Sequence, residues 1–123
     1  AFLYDFIFGI KLILGLFLIL ALTILIRILY FKERPKKQEY VSFLEKIDAS
    51  SFPSIHSARV TFLGTIISLN INKIPIYILL MAIVIIVCYS RHHLKKHHGI
   101  DIIVGALIGL ILGILINFIN ISY

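Results

Sequence analysis

LILGLFLILALTILIRILYF, residues 12–31, is a run of twenty positions holding a single charge, Arg27. The hydrocarbon core of a bilayer needs about 20 mostly apolar residues to be crossed by one helix, and about 17 at the least. This stretch meets that length. Its charge sits near one end, where a long side chain reaches the headgroups. The run extends backwards through residues 2–10, with Asp5 and Lys11 at interfacial depth. No small-residue cleavage site follows it, and it is too long for the apolar part of a signal peptide.

Working outward, three more segments read as spans. Residues 55–71 are the weakest, dotted with Ser and Thr. Residues 74–89 are the most uniformly apolar, and residues 102–119 close the series. The 123 residues are 60% hydrophobic, more than a soluble domain of this size can bury. One domain covering residues 1–123 is expected, an all-α integral membrane protein of about four transmembrane helices. Its location is multi-pass in a membrane, with the facing leaflet left open. The single cysteine, Cys88, permits no intrachain disulfide and says nothing about compartment.

Prolines punctuate the links. Pro35 follows the first span, Pro53 opens the second and Pro75 opens the third, where a missing N–H costs little. The short link NINKIP makes the second and third spans an antiparallel hairpin. Between Arg34 and Pro53, Tyr40, Phe43, Leu44 and Ile47 recur at helical spacing, with Lys36, Lys37, Glu39, Glu45 and Lys46 on other faces. This predicts a short amphipathic helix in the interface.

An up-and-down bundle sorts the charges by face. Ten of the twelve Lys and Arg, and all five histidines, fall on the face that holds residues 27–53 and 90–101; only Lys11 and Lys73 belong to the other. The positive-inside bias produces such a pattern, and so does a face built to hold an anion. Orientation therefore stays open.

Three short motifs lie on that face. Arg27 is followed after six residues by Arg34 and Pro35. Pro53, Ser54, Ile55 and His56 form the second. Ser90 and Arg91, five residues, His97, three residues and Asp101 form the third. In order and spacing they resemble the type 2 phosphatidic acid phosphatase superfamily, with its signatures K-x6-R-P, P-S-G-H and S-R-x5-H-x3-D. The third is complete. Arg27 stands for the lysine of the first and Ile55 for the glycine of the second. Membrane members of that family carry six spanning segments; four are legible here.

The resemblance implies a membrane phosphatase acting on a lipid phosphate or diphosphate. A polyprenyl diphosphate comes first, with phosphatidic acid or phosphatidylglycerol phosphate close behind. It implies His97 as the nucleophile, His56 as the general acid and base, and Asp101 as the residue that orients His97. Arg27, Arg34, Ser54 and Arg91 are the implied phosphate ligands. A transferring phosphoryl group spreads charge over three oxygens, and guanidinium forks match them. Ser54 also caps the second span, where free N–H groups favour an anion. Asp101 follows His97 by four residues. If the last helix begins before His97, the carboxylate reaches the Nδ1 proton. His92, His93 and His98 have no motif role, and Arg59 reads equally as a headgroup contact or an interfacial side chain.

No cofactor, no metal and no nucleic-acid partner are implied; the partners are the lipid substrate and the bilayer, with a homo-oligomer possible. Two other readings remain. The clustered histidines could bind a metal, although Arg91, Lys95 and Lys96 repel cations. A degenerate accessory subunit of the same family is the other. Gly105, Gly109 and Gly113 continue the His97–Asp101 series. Such a stripe packs helices closely in membranes. It is expected to face Ser54, Ser57, Thr61, Gly64 and Ser68, with a dimer interface as the alternative.

Overall fold

The computed structural model describes residues 2–119. Its order is α1 (Phe2–Leu29), α2 (Phe43–Ala49), α3 (Ile55–Asn70), α4 (Ile74–His93) and α5 (Gly99–Asn117). All the regular structure among the described residues is helical, as expected. Three helices, α1, α4 and α5, are long and apolar enough to cross a membrane. The weakest of the four expected spans, α3, is shorter than these. It ends at Asn70 after 16 residues, about 24 Å of helix, and it carries several hydroxyl side chains.

α3 is nevertheless the centre of the bundle. Its Ala58, Phe62 and Ile66 form the core with Ile19 of α1 and Ile116 of α5. α1 and α4 run antiparallel to α3, and α5 runs parallel to it. Tyr4 of α1 reaches Asn70 of α3, whereas Arg27 of α1 reaches the carbonyl of Pro53 before α3. Ser57 of α3 is buried, and Thr61, Thr65 and Ser68 are half-buried between neighbours that can face lipid, whereas His56 is exposed. α4 buries no side chain fully. Exposed apolar side chains such as Phe17, Ile78 and Leu115 make up the outer surface.

Apolar side chains gain little by leaving lipid for each other, so close packing and polar contacts must hold such helices together. The glycine stripe supplies the first. A Cβ on Gly109 would stand 2.2 Å from the Ala58 carbonyl oxygen, and one on Gly105 would stand 2.4 Å from that of Ser54. A Cβ on Gly113 would meet Thr65 at 2.9 Å. The stripe therefore packs α5 on α3. The facing residues are Ser54, Ser57, Ala58, Phe62 and Thr65; Thr61, Gly64 and Ser68 turn instead toward α4, along a groove. Polar contacts supply the second. Ser57 Oγ donates to the Ile102 carbonyl at 2.7 Å. At the other end, Asn70 Nδ2 donates to Asn117 Oδ1 at 2.7 Å and Lys11 Nζ to the Asn117 carbonyl at 2.9 Å.

The connections shape the motif-bearing end. α2 forms where the spacing of Phe43, Leu44 and Ile47 placed it. Ser42 Oγ caps it by accepting the Glu45 N–H at 3.1 Å. Phe43 and Leu44 of α2 remain exposed. Lys95 leaves α4 in a left-handed conformation (φ 56°), and its carbonyl accepts the Lys36 N–H at 3.2 Å. Ser51 N–H donates to the Lys32 carbonyl at 2.8 Å, tying the end of α1 to the approach to α3.

Candidate active site

His97 lies in the link before α5 and is 1% exposed. Its Nδ1 is 2.7 Å from the Ser51 carbonyl oxygen. A carbonyl can only accept, so Nδ1 carries the proton and Nε2 keeps its lone pair. That lone pair lies 3.5 Å from Nη2 of Arg91, a weak contact in which the guanidinium donates. Burial holds the His97 ring near pKa 4; the Ser51 hydrogen bond works against the shift, and the charges of Arg34, Arg91 and Arg27 add to it. The imidazole is a neutral base facing a cationic wall.

The expected pairing of His97 with Asp101 is not made. α5 begins at Gly99, after His97, so the two residues do not share a helical face. Asp101 sits instead in the first turn of α5. Its Oδ2 accepts the His98 N–H at 2.7 Å and lies 3.1 Å from His98 Nδ1. Its Oδ1 pairs with Lys32 Nζ at 2.7 Å. Both carboxylate oxygens of this fully buried group are thereby engaged. What Asp101 holds is the peptide that follows His97, not the ring.

Arg27 and Arg34 are drawn toward residues 47–53. Arg27 donates from Nη1 to the Ile47 carbonyl at 3.1 Å and from Nη2 to that of Pro53 at 3.1 Å. Arg34 donates from Nε to Ala49 O at 3.3 Å and from Nη2 to Asp48 O at 2.7 Å. Burial pushes the Arg34 guanidinium below its usual value, with the Asp48 charge opposing. Of the three arginines expected as phosphate ligands, two are hydrogen-bonded to backbone carbonyls. Arg27 and Arg34 give much of their hydrogen bonding to the chain and lend the site their charge. Buried Nε groups of Arg27 and Arg91 have no partner among the described residues.

Ser54 is fully buried and caps α3, its Oγ accepting the Ser57 N–H at 3.3 Å. Its own N–H donates to the Asp101 carbonyl at 3.2 Å. His56, two residues along, is exposed, and the charges of Arg91, Arg59, Arg34 and Arg27 all act on its ring. The same three motif arginines therefore bear on both imidazoles. Ile55 is half-buried and packs against the core that holds Phe62 and Ile19. As a right-handed helical residue it does not need the freedom of a glycine.

The remaining histidines part ways. His98 contacts Asp101, and His93 stacks on Tyr89 with ring centroids 5.7 Å apart. A cavity of about 540 Å³ beside His97 is lined by His92, His93, Lys95 and His98 among others. Among the described residues no three His, Cys, Asp or Glu side chains come together as a metal-binding group. Sequence reasoning missed Ser51 and Lys32. A backbone carbonyl leaves no mark on residue identity. Lys32 was in view only as one of the six unassigned positions between Arg27 and Arg34.

Comparison with curated proteins and with solved structures gave no match. A family model does match, over residues 8–120, and it takes in all three motifs. The chain belongs to the PAP2 superfamily.

Proposed function

We propose that this chain is a membrane phosphatase that removes a phosphoryl group from a lipid phosphate through a phosphohistidine. The single observation that carries the reading is the state of His97. Its Nδ1 proton is held by Ser51, and its Nε2 lone pair is directed at Arg91. A phosphate entering between them would meet a nucleophile on one side and guanidinium donors on the other.

Nε2 attacks phosphorus and a P–N bond forms as the P–O bond to the leaving group breaks. His56 gives the leaving oxygen a proton. The neutral His56 then takes a proton from water, whose oxygen attacks phosphorus and breaks the P–N bond. Phosphate leaves and His97 is restored. Arg91, with the charges of Arg34 and Arg27, stabilises the oxygens in flight.

A polyprenyl diphosphate is the preferred substrate, followed by phosphatidic acid or phosphatidylglycerol phosphate. The groove between α3, α4 and α5 supports a substrate with a long tail. It encloses about 520 Å³ and is lined mostly by apolar side chains such as Leu80, Met81 and Leu110. The test is phosphate release in detergent from farnesyl diphosphate and from phosphatidic acid. Release should persist in EDTA, fall with vanadate and disappear in His97→Ala. Activity abolished by EDTA would indicate metal chemistry. Absence of release from any lipid phosphate would indicate an accessory role.

A further inference from the structure

We infer that Lys32 is the residue that positions the nucleophile, working from both sides of the His97 segment; the inference rests on the reading of His97 given above. Its main chain acts on the acceptor of the ring. The Lys32 carbonyl accepts the Ser51 N–H at 2.8 Å, and the Lys32 N–H donates to Ser50 Oγ at 3.3 Å. Ser51 Oγ adds a bond to the Glu33 carbonyl at 3.3 Å. These contacts fix Ser51, the residue whose carbonyl oxygen holds Nδ1.

The side chain acts on the donor segment. Lys32 Nζ meets Asp101 Oδ1 at 2.7 Å, and the other oxygen of the same carboxylate accepts the N–H of the peptide joining His97 to His98. The ammonium group also lies 5.9 Å from the centroid of the Phe52 ring. Without Lys32, Asp101 would be a fully buried charge left with His98 as its one ion-pair partner among the described residues, and burying such a charge is costly. The carboxylate would turn or take up a proton, and the peptide after His97 would lose its anchor. Lys32 sets where Nε2 lies.

The experiment uses the full chain in detergent micelles. Two readouts are taken on Lys32→Met and Lys32→Arg. The first is the His97 ring N–H signal in spectra of ¹⁵N-histidine-labelled protein, which does not depend on turnover. The second is the kcat and KM for farnesyl diphosphate. In Lys32→Met the ring signal should broaden or vanish, and kcat should fall about tenfold to a hundredfold with KM little changed, as misplacing a reacting group does. Lys32→Arg, which keeps the charge, should restore the signal and bring kcat to within about threefold of the parent. If Lys32→Met does not fold, Asp101→Asn is read in its place, with the same two losses expected. Retention of both the signal and kcat in whichever variant is read overturns the inference. A parent protein that hydrolyses no lipid phosphate, yet whose ring signal depends on Lys32, overturns the phosphatase reading and leaves the positioning role standing.

Discussion

At the scale of single residues, two conditions act on His97 in the same direction. It is buried and it sits among cations, and both hold its ring uncharged well below the usual imidazole range, to about pKa 4. Burial and the guanidinium charges favour the neutral form, so lowering the pH from 8 to 5 should leave the ring uncharged. An unperturbed imidazole gains its charge near 6.5, inside that interval. Adding inorganic phosphate reverses the local sign. Negative charge favours imidazolium, so the His97 pKa should rise when phosphate binds. Histidine ¹⁵N shifts across a pH series, with and without phosphate, check both statements. A His97 ring that titrates like a free imidazole would show the pocket to be open to water.

Arg27 illustrates why its residue type matters. Its fork joins the carbonyls of Ile47 and Pro53, which flank the stretch that delivers Ser51. A lysine carries one point of charge and cannot reproduce that planar grip. Arg27→Lys should therefore lower stability by about 1–3 kcal/mol, the cost of unmade buried hydrogen bonds, although the family pattern has lysine there. Thermal unfolding in detergent measures it.

Among the elements, the packing of α5 against α3 rests on the absence of side chains. Gly109→Ala would press a methyl group to 2.2 Å from a backbone oxygen that has no rotamer to yield. The helices must move apart, at a cost of about 1–3 kcal/mol. Because the same helices carry Ser54, His56 and Asp101, activity should fall with stability. Gly9→Ala meets nothing within 4 Å and serves as the control, expected to leave the melting temperature and activity unchanged. Equal effects at the two positions would refute this packing.

Much at this scale was legible beforehand. The lengths of the apolar runs, the prolines and the four-residue spacing of glycines are local properties, and they located the helices and the α3–α5 contact. The start of α5 was not legible. Its cap is His98, a residue type with no strong capping preference, and the decisive bond comes from Asp101 reaching back. The motif pattern likewise gathered His56, His97 and the arginines in one region. It could not say that a carbonyl rather than a carboxylate holds the ring, because every residue offers a carbonyl.

For the whole molecule, the polar groups are layered. Cations and imidazoles gather at one end, and Lys11, Asn70 and Asn117 join α1, α3 and α5 at the other. α3, the least apolar of the four long helices, lies between, flanked by the helices that face lipid. That arrangement bears on how the protein is made. A segment holding His56, Arg59, Ser57, Thr61 and Ser68 has little tendency to leave the translocon for the bilayer by itself. The three-residue link to α4 lets a strongly apolar companion carry it across as a pair. Glycosylation mapping in microsomes should find α3 poorly inserted alone and well inserted when fused to α4. Biogenesis would then be obligatorily pairwise, with α3 a passenger until its neighbours arrive.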